Sequence, residues 1–287
     1  MNNTNLIVHS LDSIKADSLE TPTNNRFLQA VESMSKLKDC ESQQDEFGRR
    51  KRRIRELCAK LNITEEKFCT AAFFIVDERK VLICAVGKTG TSTIRRTFQT
   101  RLNLSLETKY ELTEKEYHEK YFDYNTIMSV RHPIERIVSA YRNKLLNRMG
   151  KFKQMGEHMK ELYRKDRSPE AMKPKVYFSE FIQYFLNYPR DEHWDTYINL
   201  CNPCKINYDM VIRHETFQMD FANVMKMYSN LTLTQAKALM LHRNGSGGKS
   251  SSDLAKKLMA EIPNHARDQI YRVFKDDFDL FEYDYNW

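Results

Sequence analysis

The sequence predicts an α/β fold with a central, mainly parallel sheet flanked by helices. Residues 81–86 (Val-Leu-Ile-Cys-Ala-Val) are continuously apolar, as in a strand buried on both faces of a parallel sheet. A loop of small and hydroxylated residues follows at 87–93 and leads into a helical pattern that extends to about residue 104. Residues 125–130 and 134–146 repeat the succession of a short strand and a helix. Strands that alternate with helices in this way are typical of α/β domains.

The remaining elements are predicted from shorter patterns. Residues 73–76 are apolar and are separated from the buried strand by the turn-like residues 77–80, which predicts a hairpin. Helical patterns cover three further segments, residues 150–187, 217–243 and 252–278. The Gly- and Ser-rich residues 244–252 predict a flexible loop before the last helix.

Length and composition limit the class of protein. The chain has 287 residues, of which 41% are hydrophobic, and a formal net charge of +7. It is long enough for one large α/β domain and too apolar for a disordered chain. No apolar run approaches the roughly 18 residues of a membrane-spanning helix, and no signal peptide is visible. Residues 1–48 are predicted to form a polar, disordered N-terminal stem, and residues 49–287 a single domain.

The densest run of charge lies at residues 49–55 (Arg-Arg-Lys-Arg-Arg-Ile-Arg). Such runs can bind polyanions or act as nuclear localisation signals. Ile54, Leu57 and Leu61 recur at helical spacing, however, so we favour the solvated face of a helix. Both interpretations can hold together, because an acidic polymer could lie along such a face. Nucleic-acid binding is the weakest alternative, since no DNA- or RNA-binding signature accompanies the run.

Six cysteines are too few for a disulfide scaffold in a chain of this length. Cys201 and Cys204 form a C-x-x-C motif, but no second pair of ligands follows at the spacing of a zinc site. The residues therefore favour a local disulfide or free thiols. Five N-glycosylation sequons lean weakly towards a secretory history.

The loop at residues 87–96 (Gly-Lys-Thr-Gly-Thr-Ser-Thr-Ile-Arg-Arg) has the composition of a phosphate-binding loop. Small residues let backbone N–H groups approach an anion, and the start of the following helix adds partial positive charge. Lys88 supplies a full charge, and further donors are the hydroxyls of Thr89, Thr91, Ser92 and Thr93. The sequence therefore predicts that this loop binds phosphate.

A nucleoside-triphosphatase loop would instead read G-x-x-x-x-G-K-[ST]. If residues 87–89 were its end, the first glycine would fall at the position of Leu82. The strand that should end in a magnesium-binding Asp runs into Arg131. A sulfuryl group carries less negative charge than a phosphoryl group and so depends less on a metal ion. A phosphate loop without the magnesium apparatus therefore favours sulfuryl transfer, and a P-loop nucleotide kinase is the less favoured alternative.

At these residues the chain resembles the carbohydrate sulfotransferases, in particular the branch of the chondroitin and dermatan 4-O-sulfotransferases. The family's 5′-phosphosulfate loop, C-x-V-P-K-x-[GA]-[SC]-T-N-W-K-R, corresponds to residues 84–96. Its 3′-phosphate motif, V-R-D-P-[FL]-E-R-L-V-S-A-Y-R-[DN]-K, corresponds to residues 130–144. Residues 193–216 resemble its H-W…C-x-P-C…Y-D…E-[TS] segment, and residues 271–283 its closing aromatic and acidic helix. Together these blocks extend the resemblance over about residues 50–287.

The chain departs from the family pattern at several positions. Gly87 stands where the family has Pro, Thr93 and Ile94 replace Asn-Trp, and His132 replaces Asp. The family's N-terminal membrane anchor is not seen in this chain. These departures bear on turnover and on localisation, so a catalytically silent relative that binds donor or glycan is an alternative.

The resemblance implies a P-loop-NTPase-like sulfotransferase fold, with 3′-phosphoadenosine 5′-phosphosulfate as co-substrate and no metal. Lys88 would be catalytic, neutralising the leaving phosphate as charge develops on it. Arg131 and Ser139 would bind the 3′-phosphate, and Arg95 or Arg96 would lie near the 5′-phosphate. The full set of donor-binding residues would be Gly87, Lys88, Thr89, Gly90, Thr91, Ser92, Thr93, Arg96, Arg131 and Ser139. Arg136 and Arg142 are interpreted as structural or surface residues.

The attacking sugar hydroxyl needs a base, and the family context favours His193 as a second catalytic residue. Trp194 could stack on a sugar face, although a structural histidine beside a core tryptophan is the alternative. His132 is a rival because it adjoins the donor motif, though the family Asp there suggests helix capping or loop bracing. Glu215 and Asp209 could act as base or acceptor contacts but are interpreted as structural.

The resemblance also implies a compartment and partners. The acceptor would be a glycosaminoglycan or glycoprotein glycan, with N-acetylgalactosamine of chondroitin as the expected sugar, and a net charge of +7 suits such a polyanion. The expected location is the Golgi lumen, with membrane attachment only through an anchor not present in this chain and no nucleic-acid partner. In that oxidising lumen, Cys201 and Cys204 would form a local disulfide.

Overall fold

The chain was analysed as a computed structural model that describes residues 40–61, 68–147, 150–240 and 251–286. Five strands form one sheet in the order β3-β1-β2-β4-β5. Their bounds are β1 Ala72–Val76, β2 Val81–Cys84, β3 Glu107–Tyr110, β4 Asn125–Val130 and β5 Met210–Arg213. β2, β4 and β5 are parallel, whereas β1 is antiparallel to both of its neighbours. The α/β class is thus confirmed, and the sheet is mixed because of the hairpin.

The predicted hairpin is confirmed, with Phe73 paired to Cys84 and Val76 to Val81. A short 3-10 turn, Asp77–Arg79, joins the strands, and Lys80 closes it in the left-handed region at φ 48°. The predicted strand at 125–130 is also confirmed. β3 and β5 were not predicted, because neither four-residue strand lies in a longer apolar run such as residues 81–86 around β2.

Helices pack on both sides of this sheet. Their bounds are α1 Cys40–Cys58, α2 Thr91–Arg96, α3 Glu114–Glu116, α4 Pro133–Ala140, α5 Lys151–Tyr163, α6 Pro169–Met172, α7 Phe178–Asn187, α8 Tyr197–Cys201, α9 Phe217–Tyr228, α10 Leu233–Met240, α11 Ser251–Ala260 and α12 Asn264–Phe281. α2, α3 and α4 each continue into a π-helical turn, Thr97–Arg101, Tyr117–Tyr121 and Tyr141–Leu146 respectively.

Three predicted helical segments are divided in the structure. The helical patterns over residues 150–187 correspond to α5, α6 and α7, and those over 217–243 to α9 and α10, with residues 241–243 outside the described residues. The single last helix predicted over 252–278 was wrong, because Pro263 cannot continue α11 and instead precedes α12. Most of the predicted loop at 244–252 lies outside the described residues, and α11 already begins at Ser251.

The core consists of two apolar layers, one on each face of the sheet. Leu82 and Cys84 of β2 face the larger layer, whereas Val81 and Ile83 face the other. All four side chains are at most 1% exposed. The prediction of a strand buried on both faces is therefore confirmed, and the end of β2 is held rigidly from both sides.

The basic run lies on α1, as the helical spacing predicted. Its cations are mostly paired rather than solvated: Arg50 Nη1 lies 2.6 Å from the Asp220 carboxylate, and Lys51 Nζ lies 2.7 Å from that of Asp209. The predicted boundary between residues 48 and 49 falls inside α1. Residues 1–39 lie outside the described residues, so the stem and the single domain stay predictions.

The predicted local disulfide between Cys201 and Cys204 was wrong. Cys84 bonds to Cys201, and Cys58 bonds to Cys204, with Cα atoms 6.0 Å and 5.3 Å apart. Cys201 ends α8 against the last residue of β2, while Asn202 adopts a left-handed backbone that turns the chain before Cys204 meets α1. The two cysteines therefore point to different elements. In the part of the chain that the structure describes, no helix is long and apolar enough to cross a membrane.

Candidate functional site

The candidate site lies where the three parallel strands end. The carboxyl ends of β2, β4 and β5 meet at one edge of the sheet, and ligands of open α/β sheets bind beyond such an edge. β2 leads into the loop at 87–93, β4 into Arg131, and β5 into the 3-10 turn His214–Thr216. The fold thus gathers the predicted phosphate loop and the predicted 3′-phosphate arginine at the same edge.

The loop from 87 to 90 has an unusual backbone. Lys88 lies in the left-handed region at φ 74°, and Gly90 lies at φ 106° immediately before α2. A Cβ atom at Gly90 would come within 2.4 Å of the Phe217 ring, so only glycine fits there. The N–H groups of Thr93 and Ile94 bond to the Gly90 carbonyl, which leaves Thr91 and Ser92 at the start of the helix, where N–H groups lack intrahelical acceptors.

Thr89 does not present its hydroxyl to this edge. Its side chain is fully buried, donates to the Val86 carbonyl at 2.8 Å and lies 2.6 Å from the Ser129 hydroxyl of β4. The prediction that this hydroxyl is an anion donor was wrong, because the group connects β2 to β4 instead. Any contribution of Thr89 to a phosphate must come from its backbone.

A cluster of cations surrounds the loop, and we call Lys88, Arg131, Arg142 and Lys144 the site cations. Burial, together with repulsion from Lys144, Arg131 and Arg142, lowers the pKa of Lys88 to about 8. Among the described residues, no carboxylate lies within bonding distance of Lys88, Arg142 or Lys144. Such an arrangement is costly in itself and is relieved by a bound anion.

Arg131 is held in place from its backbone. The Tyr197 hydroxyl accepts from the Arg131 N–H at 2.7 Å and donates to its carbonyl at 2.9 Å. Arg131 is 4% exposed, and its guanidinium donates to Glu135 at 3.0 Å and to the Lys88 carbonyl at 3.4 Å. Within the described chain its Nε has no hydrogen-bond partner. The His214 ring also hydrogen-bonds to the Thr89 backbone, and burial lowers the pKa of His214.

His193 lies beside the loop. Its Nδ1 is 2.6 Å from a carboxylate oxygen of Asp191, and a Cβ atom at Gly87 would come within 3.2 Å of its Cδ2. The ring packs edge-on against Phe152, with centroids 5.4 Å apart. The structure thus brings the predicted base beside Gly87, the residue that precedes Lys88 in the phosphate loop.

Trp194 is buried and therefore not available to stack on a sugar face, so of the two interpretations the structural one is confirmed. It is 1% exposed and packs against Phe152 and Phe181, which is the structural alternative. The rival base His132 turns to the C-terminal segment, where its Nε2 lies 2.9 Å from the Asp284 carbonyl. Burial lowers the pKa of His132.

The two carboxylates considered as bases have structural partners. Glu215 accepts from the His132 N–H at 2.9 Å and from the Tyr283 hydroxyl at 2.8 Å. Asp209 pairs with Lys51 at the opposite end of the sheet, before β5 begins. Arg136 is fully buried over the Tyr197 ring, whereas Arg142 is exposed but close enough to affect Lys88.

The other predicted donor-binding residues lie on two helices. Thr91, Ser92 and Arg96 line a cavity of about 400 Å³ along α2, together with Arg95, whose guanidinium is 4.7 Å from the Phe74 ring. Thr93 is partly buried in the first turn of α2. Ser139 is partly buried in the second turn of α4, on the helix that Arg131 precedes.

One group of residues could in principle hold a metal ion. Asp191, Glu192 and His193 offer ligand atoms within 4.8 Å of one another. The Lys151 ammonium, however, lies 2.7 Å from the Asp191 carboxylate, and a cation there opposes a second one. The group fits a hydrogen-bonded pair better than a metal centre.

Several site residues escaped the sequence analysis. Asp191 and Tyr197 act on His193 and Arg131 only after folding, so no local pattern announces them. Arg142 and Lys144 both affect Lys88. They are two residues apart on the π-helical turn after α4, a spacing that does not place side chains on one helix face, so their convergence on Lys88 could not be predicted from it. Nor could Phe217 be predicted, since its contact with Gly90 spans 127 residues of chain.

Comparison with known proteins places these features in context. The sequence model of the Sulfotransferase family matches residues 71–284. Mouse carbohydrate sulfotransferase 8 is 27% identical over 266 residues, covering 82% of this chain and 63% of that protein. Rat carbohydrate sulfotransferase 11 is 28% identical, covering 64% and 54% respectively. Mouse carbohydrate sulfotransferase 12 is 32% identical, covering 56% and 40%. The chain therefore spans less than two thirds of these relatives, and no solved structure matches it.

Proposed function

The chain belongs to the sulfotransferase family, and on this premise we propose that it transfers a sulfuryl group from 3′-phosphoadenosine 5′-phosphosulfate to a hydroxyl of a glycan. The observation that carries the proposal is the set of site cations around a phosphate loop. Burial and three neighbouring cations lower the pKa of Lys88 to about 8, so a bound polyanion would offset a repulsion that the protein otherwise bears. A donor with a 5′-phosphosulfate and a 3′-phosphate supplies that charge in two places.

Lys88 and the loop would bind the 5′-phosphosulfate. The backbone from Gly87 to Gly90 and the first N–H groups of α2 can approach its oxygens, and the Lys88 ammonium can follow the charge that develops on the bridging oxygen. Because this stabilisation grows as the S–O bond breaks, it accelerates transfer rather than only tightening binding. Arg96 would contribute from the cavity along α2.

Arg131 and Ser139 would bind the 3′-phosphate. The buried Arg131 Nε is a donor that has no partner among the described residues, and Tyr197 holds the backbone that positions it. A guanidinium can bind phosphate through two parallel bonds, which sets orientation as well as charge. Arg142 and Lys144 would add positive potential around the same donor.

His193 would act as the base. The sugar oxygen attacks sulfur, its proton passes to His193 Nε2, and the electron pair of the broken S–O bond stays on the phosphate of the leaving adenosine 3′,5′-bisphosphate. The contact between Gly87 and the ring puts His193 at the loop that would hold the sulfuryl group. No step of this reaction requires a metal ion, which is part of the proposal.

The finer substrate assignment rests on the resemblance of the motifs. We propose N-acetylgalactosamine in a chondroitin-type chain, at the 4-hydroxyl, as the acceptor, and the Golgi lumen as the compartment. The two disulfides in the structure favour an oxidising compartment. The positive net charge favours an anionic glycan over a neutral one.

The test is transfer of labelled sulfate from the donor to desulfated chondroitin in the presence of EDTA, with Lys88→Met as the comparison. Incorporation by the wild type and not by the variant supports metal-free transfer. Binding of adenosine 3′,5′-bisphosphate by calorimetry without incorporation into any glycan of a panel supports the alternative of a silent donor-binding relative. No binding of the bisphosphate at all overturns the proposal.

A further inference from the structure

The pair formed by Asp191 and His193 carries an inference that rests on the proposed function. We infer that Asp191 is a positioning residue, which holds the proton of His193 on Nδ1 and so leaves Nε2 of the ring beside Gly87 as the proton acceptor. In this arrangement the sugar proton passes to Nε2 while the Nδ1 proton stays in the bond to Asp191. The negative charge of Asp191 then compensates the positive charge that His193 acquires.

The geometry of the carboxylate supports this role. One oxygen of Asp191 accepts both from His193 Nδ1, at 2.6 Å, and from the His193 backbone N–H, at 3.1 Å. Two bonds to the same residue fix the ring relative to its own backbone. Because a carboxylate only accepts hydrogen bonds, its partner Nδ1 must carry the proton, and the neutral ring then has its lone pair on Nε2.

The second oxygen of Asp191 is bound as well. Lys151 Nζ lies 2.7 Å from it, so neither oxygen is left to rotate away from His193. Burial would raise the pKa of Asp191, but the bonds from His193 and Lys151 outweigh it and hold that pKa below its ordinary range. Asp191 therefore remains a carboxylate throughout the pH range in which a histidine titrates.

The remaining groups around the ring are few. Glu192 has a carboxylate oxygen 3.8 Å from Nδ1 but is half exposed, and Phe152 packs against the ring edge-on. Lys144 and Lys151 each place Nζ 5.2 Å from the centre of the Phe152 ring, so both cations lie close to His193 through that ring. The strongest fixed bond to the imidazole is thus that of Asp191.

The experiment compares Asp191→Ala with Glu192→Ala, which removes the neighbouring carboxylate. We expect Asp191→Ala to lower kcat by about 10- to 100-fold, the share that a misoriented base would lose, with the affinity for adenosine 3′,5′-bisphosphate unchanged within about twofold. Glu192→Ala should change kcat by less than about threefold.

A second readout does not depend on turnover. In protein labelled with ¹⁵N in its histidine rings, the His193 signals, assigned with His193→Gln, should show a proton on Nδ1 in the wild type and in Glu192→Ala. Asp191→Ala should show loss of that single tautomer. If the wild type transfers no sulfate but the tautomer changes as stated in Asp191→Ala, the proposed function fails, while the role of Asp191 in fixing the His193 tautomer is supported.

Two results would overturn the inference. One is an unchanged tautomer and an unchanged kcat in folded Asp191→Ala. The other is a loss of bisphosphate affinity as large as the loss in kcat, since Asp191 would then support the structure of the phosphate loop rather than the orientation of His193. Thermal unfolding of each variant separates both results from misfolding.

Discussion

Two groups of cations in this molecule resemble each other in sequence and differ in their surroundings. On α1, Arg49, Arg50, Lys51 and Arg53 each bond to a carboxylate or a backbone carbonyl at 3.0 Å or less. Three of the site cations around the phosphate loop have no such partner among the described residues, namely Lys88, Arg142 and Lys144. The fourth, Arg131, has a buried Nε without a hydrogen-bond partner there. The denser run of charge is therefore structural, while the sparser group forms the candidate site.

The number of hydrogen-bond and ion-pair partners, rather than the density of charge, therefore separates the structural cations from those of the candidate site. A paired cation stabilises the fold, and its removal leaves a carboxylate without compensation. An unpaired, half-buried cation costs the fold free energy that a ligand would recover. Substitutions in the two groups should consequently have opposite effects on stability, and only those around the loop should affect activity and ligand binding. Four predictions test this distinction.

The largest effect is expected on α1. Arg50→Met should lower the free energy of unfolding by about 3–5 kcal/mol, because it leaves the fully buried Asp220 without its cation. Denaturant unfolding measures the change. Arg55→Met, which removes an exposed cation from the same helix, is the control and should cost less than about 0.5 kcal/mol. Equal losses in the two variants would contradict the distinction.

The next effect concerns the site. Lys88→Met should lower the rate of sulfuryl transfer by about 10²- to 10³-fold, as removal of a group that stabilises developing charge does. Lys51→Met, in which the lost cation pairs with Asp209 far from the loop, should leave the rate within about threefold. A radiolabel transfer assay compares the two variants. A similar loss in both would mean that general positive charge, not the site cation, supports the activity.

The same Lys88→Met variant should be more stable than the wild type, by about 1–2 kcal/mol at pH 7, which raises Tm by roughly 2–6 °C. The reason is that the charged form is disfavoured in the folded state, where the pKa is lowered from 10.5 to about 8. As pH rises from 8 to 10.5 the folded wild type releases its proton first, so its stability rises and the difference narrows. A lower Tm at pH 7 would show that Lys88 is paired in solution.

The smallest effect is the pH dependence of binding. The affinity for adenosine 3′,5′-bisphosphate should fall by up to about tenfold between pH 7 and pH 9, because the anion binds the protonated form of Lys88 and the free protein loses that proton near pH 8. Calorimetry in two buffers of different ionisation enthalpy should show proton uptake at pH 8–9. In Lys88→Met the dependence over this range should be much weaker, and equal slopes in the two proteins would contradict the assignment.

The sequence was sufficient where one feature depends on neighbouring residues. The succession of strand, loop and helix around Lys88 could be predicted because the burial of β2 and the small residues after it are local signals. The helical position of the basic run followed from its apolar spacing in the same way. Local patterns therefore placed the loop that the site is built on.

Features that depend on distant contacts could not be predicted. The Thr89 hydroxyl bonds to Ser129, which is 40 residues away in the chain. The sequence of the loop alone does not show that this hydroxyl has a partner in the core. The cysteine pairs span 117 and 146 residues, and the adjacent C-x-x-C spacing favoured the wrong bond. Whether Trp194 stacks on a sugar or lies in the core stayed open in the sequence, because burial depends on the whole core.

The Cys84–Cys201 bond has a consequence for how the protein folds during its synthesis. It joins the last residue of β2 to α8, whose Tyr197 holds Arg131, so a covalent link connects the two halves of the candidate donor site. Cys84 must wait for 117 more residues before its partner exists. At translation rates of about 5–20 residues per second, this is a delay of roughly 6–23 s. During synthesis the phosphate loop is therefore translated early, but the disulfide that fixes the end of β2 can form only after Cys201 has been added to the chain.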